Sequence, residues 1–88
     1  MARNRMTRKG SRAGELGEYH GPLTSKIFLR VPDNPKVHGS QAHRRFNLIR
    51  DEMTVAEYYI VCQAVGENPK YARQDIEWNL DRKFIRLD

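Results

Sequence analysis

The chain has 88 residues, one Cys and 39% hydrophobic residues, which suits a single small domain and leaves no thiol pair for a disulfide or a thiolate zinc site. No apolar run approaches the ~18–20 residues that cross a bilayer, so the expectation is a cytoplasmic protein without a membrane span. The formal charge of +5 is unevenly spread: residues 1–50 hold 11 Lys/Arg against 3 Asp/Glu, and residues 51–88 hold 5 against 8. Such an asymmetry points to a polyanion, or an acidic protein surface, facing the N-terminal half.

The first 14 residues contain Arg3, Arg5, Arg8, Lys9 and Arg12 and no acid, with Met1 and Met6 as the only sizeable apolar side chains. They cannot bury enough surface to offset their ordering entropy, and they read as a disordered basic arm suited to a DNA or RNA phosphate backbone. A solubilising tail and an Arg-rich presequence share this composition. Against the presequence, Gly10 and Gly14 interrupt the segment and no amphipathic stripe is visible. Residues 15–25 add Gly17 and the pair Gly21-Pro22, marks of irregular chain, with Tyr19 and His20 lacking partners at recognisable spacing. Arm and linker therefore take 1–25, and a folded domain takes 26–88.

In Lys26-Ile27-Phe28-Leu29-Arg30-Val31 the apolar residues alternate with a mixed face, the period of a strand, which Pro32 ends and Asp33-Asn34-Pro35 turns. Ser40 is the expected cap of a helix whose stripe is Ala42, Phe46, Ile49 and Met53, at spacings of 4, 3 and 4. His43, Arg44, Asn47 and Arg50 fall off that stripe and Arg45 at its flank. Arg44 and Arg45 are therefore expected on the surface, extending the basic face of the arm.

Thr54 and Glu57 fit a capping box, with Met53 and Tyr58 placed for a hydrophobic staple. The helix they open should bury Val55, Tyr58 or Tyr59, Cys62 and Val65 and stop at Gly66 in a left-handed cap. Cys62 on that apolar face reads as a packed core thiol. Asn68-Pro69 starts a third helix, since Asn caps and Pro favours the first helical position. Ala72, Ile76 and Leu80 carry it to about residue 80. The alternation of Ile76, Trp78 and Leu80 leaves a hairpin through Asp81-Arg82-Lys83 as the competing reading. A terminal strand at 84–87 would partner the strand at 26–31. The expected fold is mainly α with a small β ribbon: strand, three short helices, strand, close to winged-helix proportions.

The second and third helices have the lengths of a helix-turn-helix, with Gly66 at the turn. That alignment puts Glu67 and Asp75 where apolar residues belong. The third helix offers Lys70, Arg73 and Gln74, but Asp75, Glu77 and Asp81 beside them would repel phosphates, making it a poor reader of base edges.

Gly39-Ser40, Arg45-Phe46, Met53-Thr54-Val55-Ala56-Glu57-Tyr58, Asp75-Ile76-Glu77-Trp78 and Phe84-Ile85-Arg86-Leu87 together resemble a group of small phage and prophage proteins of uncharacterised function. Their pattern has Gly before Met-Thr-Val, Asp after the Trp, and Gly before Phe-Ile. This chain departs from it at Glu52, Asn79 and Lys83. The resemblance spans about half the chain and implies a viral or prophage origin, hence a bacterial host cytoplasm, with no catalytic residues to transfer.

No catalytic constellation is present: His20, His38 and His43 lack metal-ligand spacing, and no glycine fingerprint for phosphates occurs. The expectation is a non-enzymatic protein without metal or cofactor. It associates with nucleic acid, largely without sequence specificity, through Arg3, Arg5, Arg8, Lys9, Arg12, Arg44, Arg45, Lys70 and Arg73. The competing expectation is a protein-interaction module that docks on an acidic host protein or joins a larger assembly.

Overall fold

A computed structural model describes residues 17–88. The arm expected over residues 1–14, with Arg3, Arg5, Arg8, Lys9 and Arg12, lies outside the described residues. Strand β1 (Ile27–Leu29) is followed by helices α1 (Gln41–Phe46), α2 (Val55–Ala64) and α3 (Pro69–Asp81) and by strand β2 (Ile85–Leu87). The two strands pair antiparallel, with Ile27 opposite Leu87 and Leu29 opposite Ile85, so the expected ribbon forms and the hairpin reading of 76–87 does not. On its other edge β1 meets residues 52–54: Ile27 N–H donates to the Met53 carbonyl at 2.7 Å, and Glu52 N–H to that of Ile27 at 2.7 Å.

The helices begin and end where local chemistry dictates. Ser40 and Asn68 cap α1 and α3. The Thr54–Glu57 capping box is complete, at 3.1 Å from Glu57 N–H to Thr54 Oγ1 and 2.8 Å from Thr54 N–H to Glu57 Oε1. Two helices close on the same device. After α2, Gly66 N–H bonds to the Gln63 carbonyl and Glu67 N–H to that of Cys62. After α3, Lys83 N–H bonds to the Leu80 carbonyl and Phe84 N–H to that of Asn79. Both are Schellman closures, which need a left-handed residue, with φ 85° at Gly66 and 62° at Lys83.

Lys83 and Glu52 (φ 72°) are the non-glycine residues with positive φ among those described. A side chain there opposes the backbone conformation, whereas Gly adopts it without a Cβ clash. Lys83→Gly is expected to stabilise the domain by about 0.5–1 kcal/mol once the extra unfolded-chain entropy is subtracted, read as a raised urea midpoint at unchanged m. A lowered midpoint would show that Lys83 contributes more through its side chain than it loses in its backbone.

The core joins Ile27 and Ile85 of the ribbon to Phe46, Ile49, Val55, Tyr58, Cys62, Ala72 and Ile76. Tyr19 is part of it as well, although the expected linker contains it. Its N–H donates to the Arg73 carbonyl at 3.1 Å and its hydroxyl to that of Pro22 at 2.9 Å. A Cβ at Gly21 would collide with the Tyr19 ring, so the turn that seats this tyrosine requires glycine.

Two expectations need correction. Helix α1 stops at Phe46, less than two turns after it begins, and Ile49 and Met53 reach the core from successive turns instead of a continuing helix. Val65 is 57% exposed, because it is the residue at which α2 turns out of its helical course.

Candidate functional site

The described cations do not form one surface. Arg44 is exposed, its guanidinium donating to the Gly39 carbonyl at 3.2 Å, and Lys70 is exposed at the start of α3. Arg73 is tied to Glu18 by an ion pair that holds the Glu18 carboxylate below its ordinary range. Arg45 contradicts the expectation outright: it is 7% exposed and points inward.

Arg45 joins α1 to the other two helices. Its Nε and Nη2 both donate to the Asp75 carboxylate, the latter at 3.2 Å, and its Nη1 donates to Glu67 Oε1 at 3.0 Å. Tyr58 completes the cluster by donating its hydroxyl to Asp75 Oδ2 at 3.2 Å. Arg45 accounts for the two acids that the helix-turn-helix alignment left at core-facing positions. Glu67 and Asp75 face inward because one guanidinium receives both. Burial works against the Arg45 charge, yet the bonds and charge of Asp75 and Glu67 outweigh it and hold the proton more firmly than usual. Burial raises the Tyr58 hydroxyl, with the Asp75 charge adding to it, so this hydroxyl remains a donor. Burial likewise raises the Cys62 thiol, which is buried and unreactive in character.

Beside this cluster opens a cleft of about 450 Å³, between the loop before α1 and the C-terminal half of α3. Apolar walls come from Val37, Ala42, Trp78 and Phe84. Its distinctive group is Lys36, whose Nζ lies 5.4 Å from the ring centroid of Phe84 and 5.9 Å from those of Phe46 and Trp78. No carboxylate of the described residues pairs with it. Burial pushes the ammonium down to about 8, with nearby Asp75 opposing and Arg45 and Arg82 reinforcing the shift. Asn34 positions this lysine. Its Nδ2 donates to the His43 carbonyl at 2.8 Å and Asn47 Oδ1 at 2.9 Å, and its Oδ1 accepts from Lys36 N–H at 3.0 Å. On the far wall, Arg82 lies over the Trp78 ring at 4.2 Å.

Sequence reasoning did not reach this cleft. Trp78 and Phe84 fall in the predicted third helix and terminal strand, and Lys36 follows the Asp33-Asn34-Pro35 turn with no spacing to connect it to either. The i, i+4 pair Trp78–Arg82 was the available signal, since those positions stack on one helix face. Among the described residues no group of three or more His, Cys, Asp or Glu is placed to hold a metal, and no helix is long and apolar enough to cross a membrane. Compared with known proteins, the chain matches no family model, no curated protein and no solved structure.

Proposed function

We propose that the protein is a non-enzymatic nucleic-acid-associated protein of phage type that holds the phosphate backbone through its Arg-rich N-terminal segment. The observation that carries this reading is the division of charge. Residues 1–16 contain five Lys/Arg and one Glu, leaving 11 Lys/Arg against 10 Asp/Glu in residues 17–88. Nearly all of the basic excess thus precedes a domain that is almost neutral. The domain acts as the anchor, with Glu18 and Tyr19 fixed to Arg73 of α3. Arg44 and Lys70 supplement the arm cations, and Arg45 does not contribute, being committed to Asp75 and Glu67. The core of three helices and a ribbon is read as winged-helix-like. The glycine positions of the phage pattern support the viral origin, because residues 52 and 83 adopt the backbone that glycine favours.

The test is binding to a short DNA duplex and to an RNA of equal length, followed by fluorescence anisotropy across salt. Affinity is expected to fall by orders of magnitude between roughly 50 and 200 mM salt, with a log–log slope of about −4 to −5 on the duplex if all five arm cations engage. Removing residues 1–14 should abolish most of that slope, and Lys70→Gln should reduce it by about 1. Salt-insensitive binding, or none at low salt, rejects the reading.

A specific observation favours the competing interaction module: α2 is apolar on its outer side too. Ile60 is 64% exposed, with Ala64 one turn further and Val65 beside it, where a single-domain surface helix would carry polar residues. A partner complex that survives nuclease treatment and removal of residues 1–14 would select that reading.

A further inference from the structure

We propose that Lys36 is a nucleophilic lysine, and that the cleft between the Pro35–Ser40 loop and α3 admits a small neutral aromatic aldehyde that Lys36 captures as an imine. This stands apart from the nucleic-acid reading, which uses neither the cleft nor Lys36.

Charge around the cleft does not select an ion. Lys36 and Arg45 are matched by Asp75 and Glu67, and Arg82, stacked on Trp78, has a partner of its own. The walls are aromatic and aliphatic, and about 450 Å³ accommodates one substituted ring, so the fitting ligand is a neutral arene. Lys36 sets its reactive group. No hydrogen bond or ion pair from the described residues holds the Nζ, which lies among the rings of Phe46, Trp78 and Phe84 at 5.4 to 5.9 Å. Such surroundings disfavour an ammonium, and burial brings Lys36 down to about 8, with Asp75 opposing and Arg45 and Arg82 assisting. The neutral amine is the nucleophile, as in lysines activated by desolvation in apolar pockets. Lys26, Lys70 and Lys83 are by contrast exposed. Asn34 also fastens the Lys36 backbone to the end of α1, which keeps the lysine at the cleft.

The capture balances without a co-reactant. The Nζ lone pair forms a C–N bond to the carbonyl carbon, giving a carbinolamine. Its C–O bond then breaks, and both amine protons leave with that oxygen as water. The product sets a ring-conjugated C=N link among the three rings in place of an ammonium.

The probes are benzaldehyde and propanal, each incubated with the full chain and cyanoborohydride, which reduces the imine to a stable amine. Peptide mapping locates the adducts and separates Lys36 from the chain's α-amine. At about pH 7 benzaldehyde is expected to label Lys36 about tenfold faster than Lys26, Lys70 or Lys83. A lysine titrating at about 8 has roughly a hundredfold more neutral amine than an ordinary one, and a weaker base gives back part of that advantage as a weaker nucleophile. The Lys36 rate should level off as benzaldehyde is raised, because binding in the cleft precedes capture, whereas the rates at the exposed lysines should rise in proportion. Propanal has the same carbonyl without the ring and should show no levelling at Lys36. Trp78→Ala should raise the half-saturating benzaldehyde concentration about tenfold, with circular dichroism showing the fold retained. The comparison of the two aldehydes in the unaltered chain tests the proposal even if Trp78→Ala fails to fold. Labelling spread evenly over the lysines, a Lys36 rate that never levels, levelling with propanal equal to that with benzaldehyde, or levelling unchanged in folded Trp78→Ala overturns it.

Discussion

Replacing Asp75 with leucine is expected to destabilise the domain by about 3–5 kcal/mol, a large part of what a domain of this size has. The carboxylate accepts two bonds from Arg45 and one from the Tyr58 hydroxyl. Without it, Arg45 keeps only Glu67, and Tyr58 loses its acceptor inside the core. The damage comes from the buried groups left unanswered and not from any large net worth of the pair, because removing two charges from water costs nearly what their attraction returns. The double variant Arg45→Met, Asp75→Leu should therefore be more stable than Asp75→Leu alone, with Glu67, partly exposed, turning to solvent. Urea unfolding of the four members of the cycle measures this, provided the slope m stays constant. If Asp75→Leu costs under about 1 kcal/mol, the cluster is not the tie between α1, α2 and α3 that its geometry describes.

A chain ending at Lys83 is expected to lose its cooperative unfolding transition. The missing segment contributes Ile85, 2% exposed, together with Phe84 and Leu87 against the core. It also carries the whole of one strand and the amide that closes the Schellman motif after α3. Ile85→Ala alone should cost about 2–5 kcal/mol. Removing the full segment adds the lost pairing of β1, which then presents an open edge. Far-ultraviolet circular dichroism during a thermal scan decides the matter. A sharp transition at the temperature of the intact chain would mean that the ribbon only decorates a self-sufficient helical core.

The parts of the fold that were legible in the sequence are those set by neighbours along the chain. Ser40, Thr54–Glu57, Asn68-Pro69 and Gly66 mark helix ends through contacts spanning five residues or fewer, and each performs its expected role. The partner of β1 followed from the requirement that a strand be paired. What escaped was decided by distance. Arg45 at the flank of a stripe is indistinguishable from a surface arginine until Asp75, thirty positions later, is seen to face it. The helix-turn-helix alignment had registered the other half of this fact, as two acids at apolar positions, without the cation that reconciles them. Lys36 escaped for the same reason: its surroundings come from α1, α3 and the approach to β2, and no local pattern gathers those three.

The ribbon also bears on the order of folding. Ile27 pairs with Leu87, so the first strand finds its partner only across the span that holds all three helices. Each helix can form from local contacts, whereas the sheet must close a loop of nearly the entire domain, an entropic step made easier once the helices have shortened the gap. The transition state should accordingly be rich in α2 and α3 contacts and poor in strand pairing. Substitutions in the ribbon would then speed unfolding while leaving the rate of folding almost unchanged.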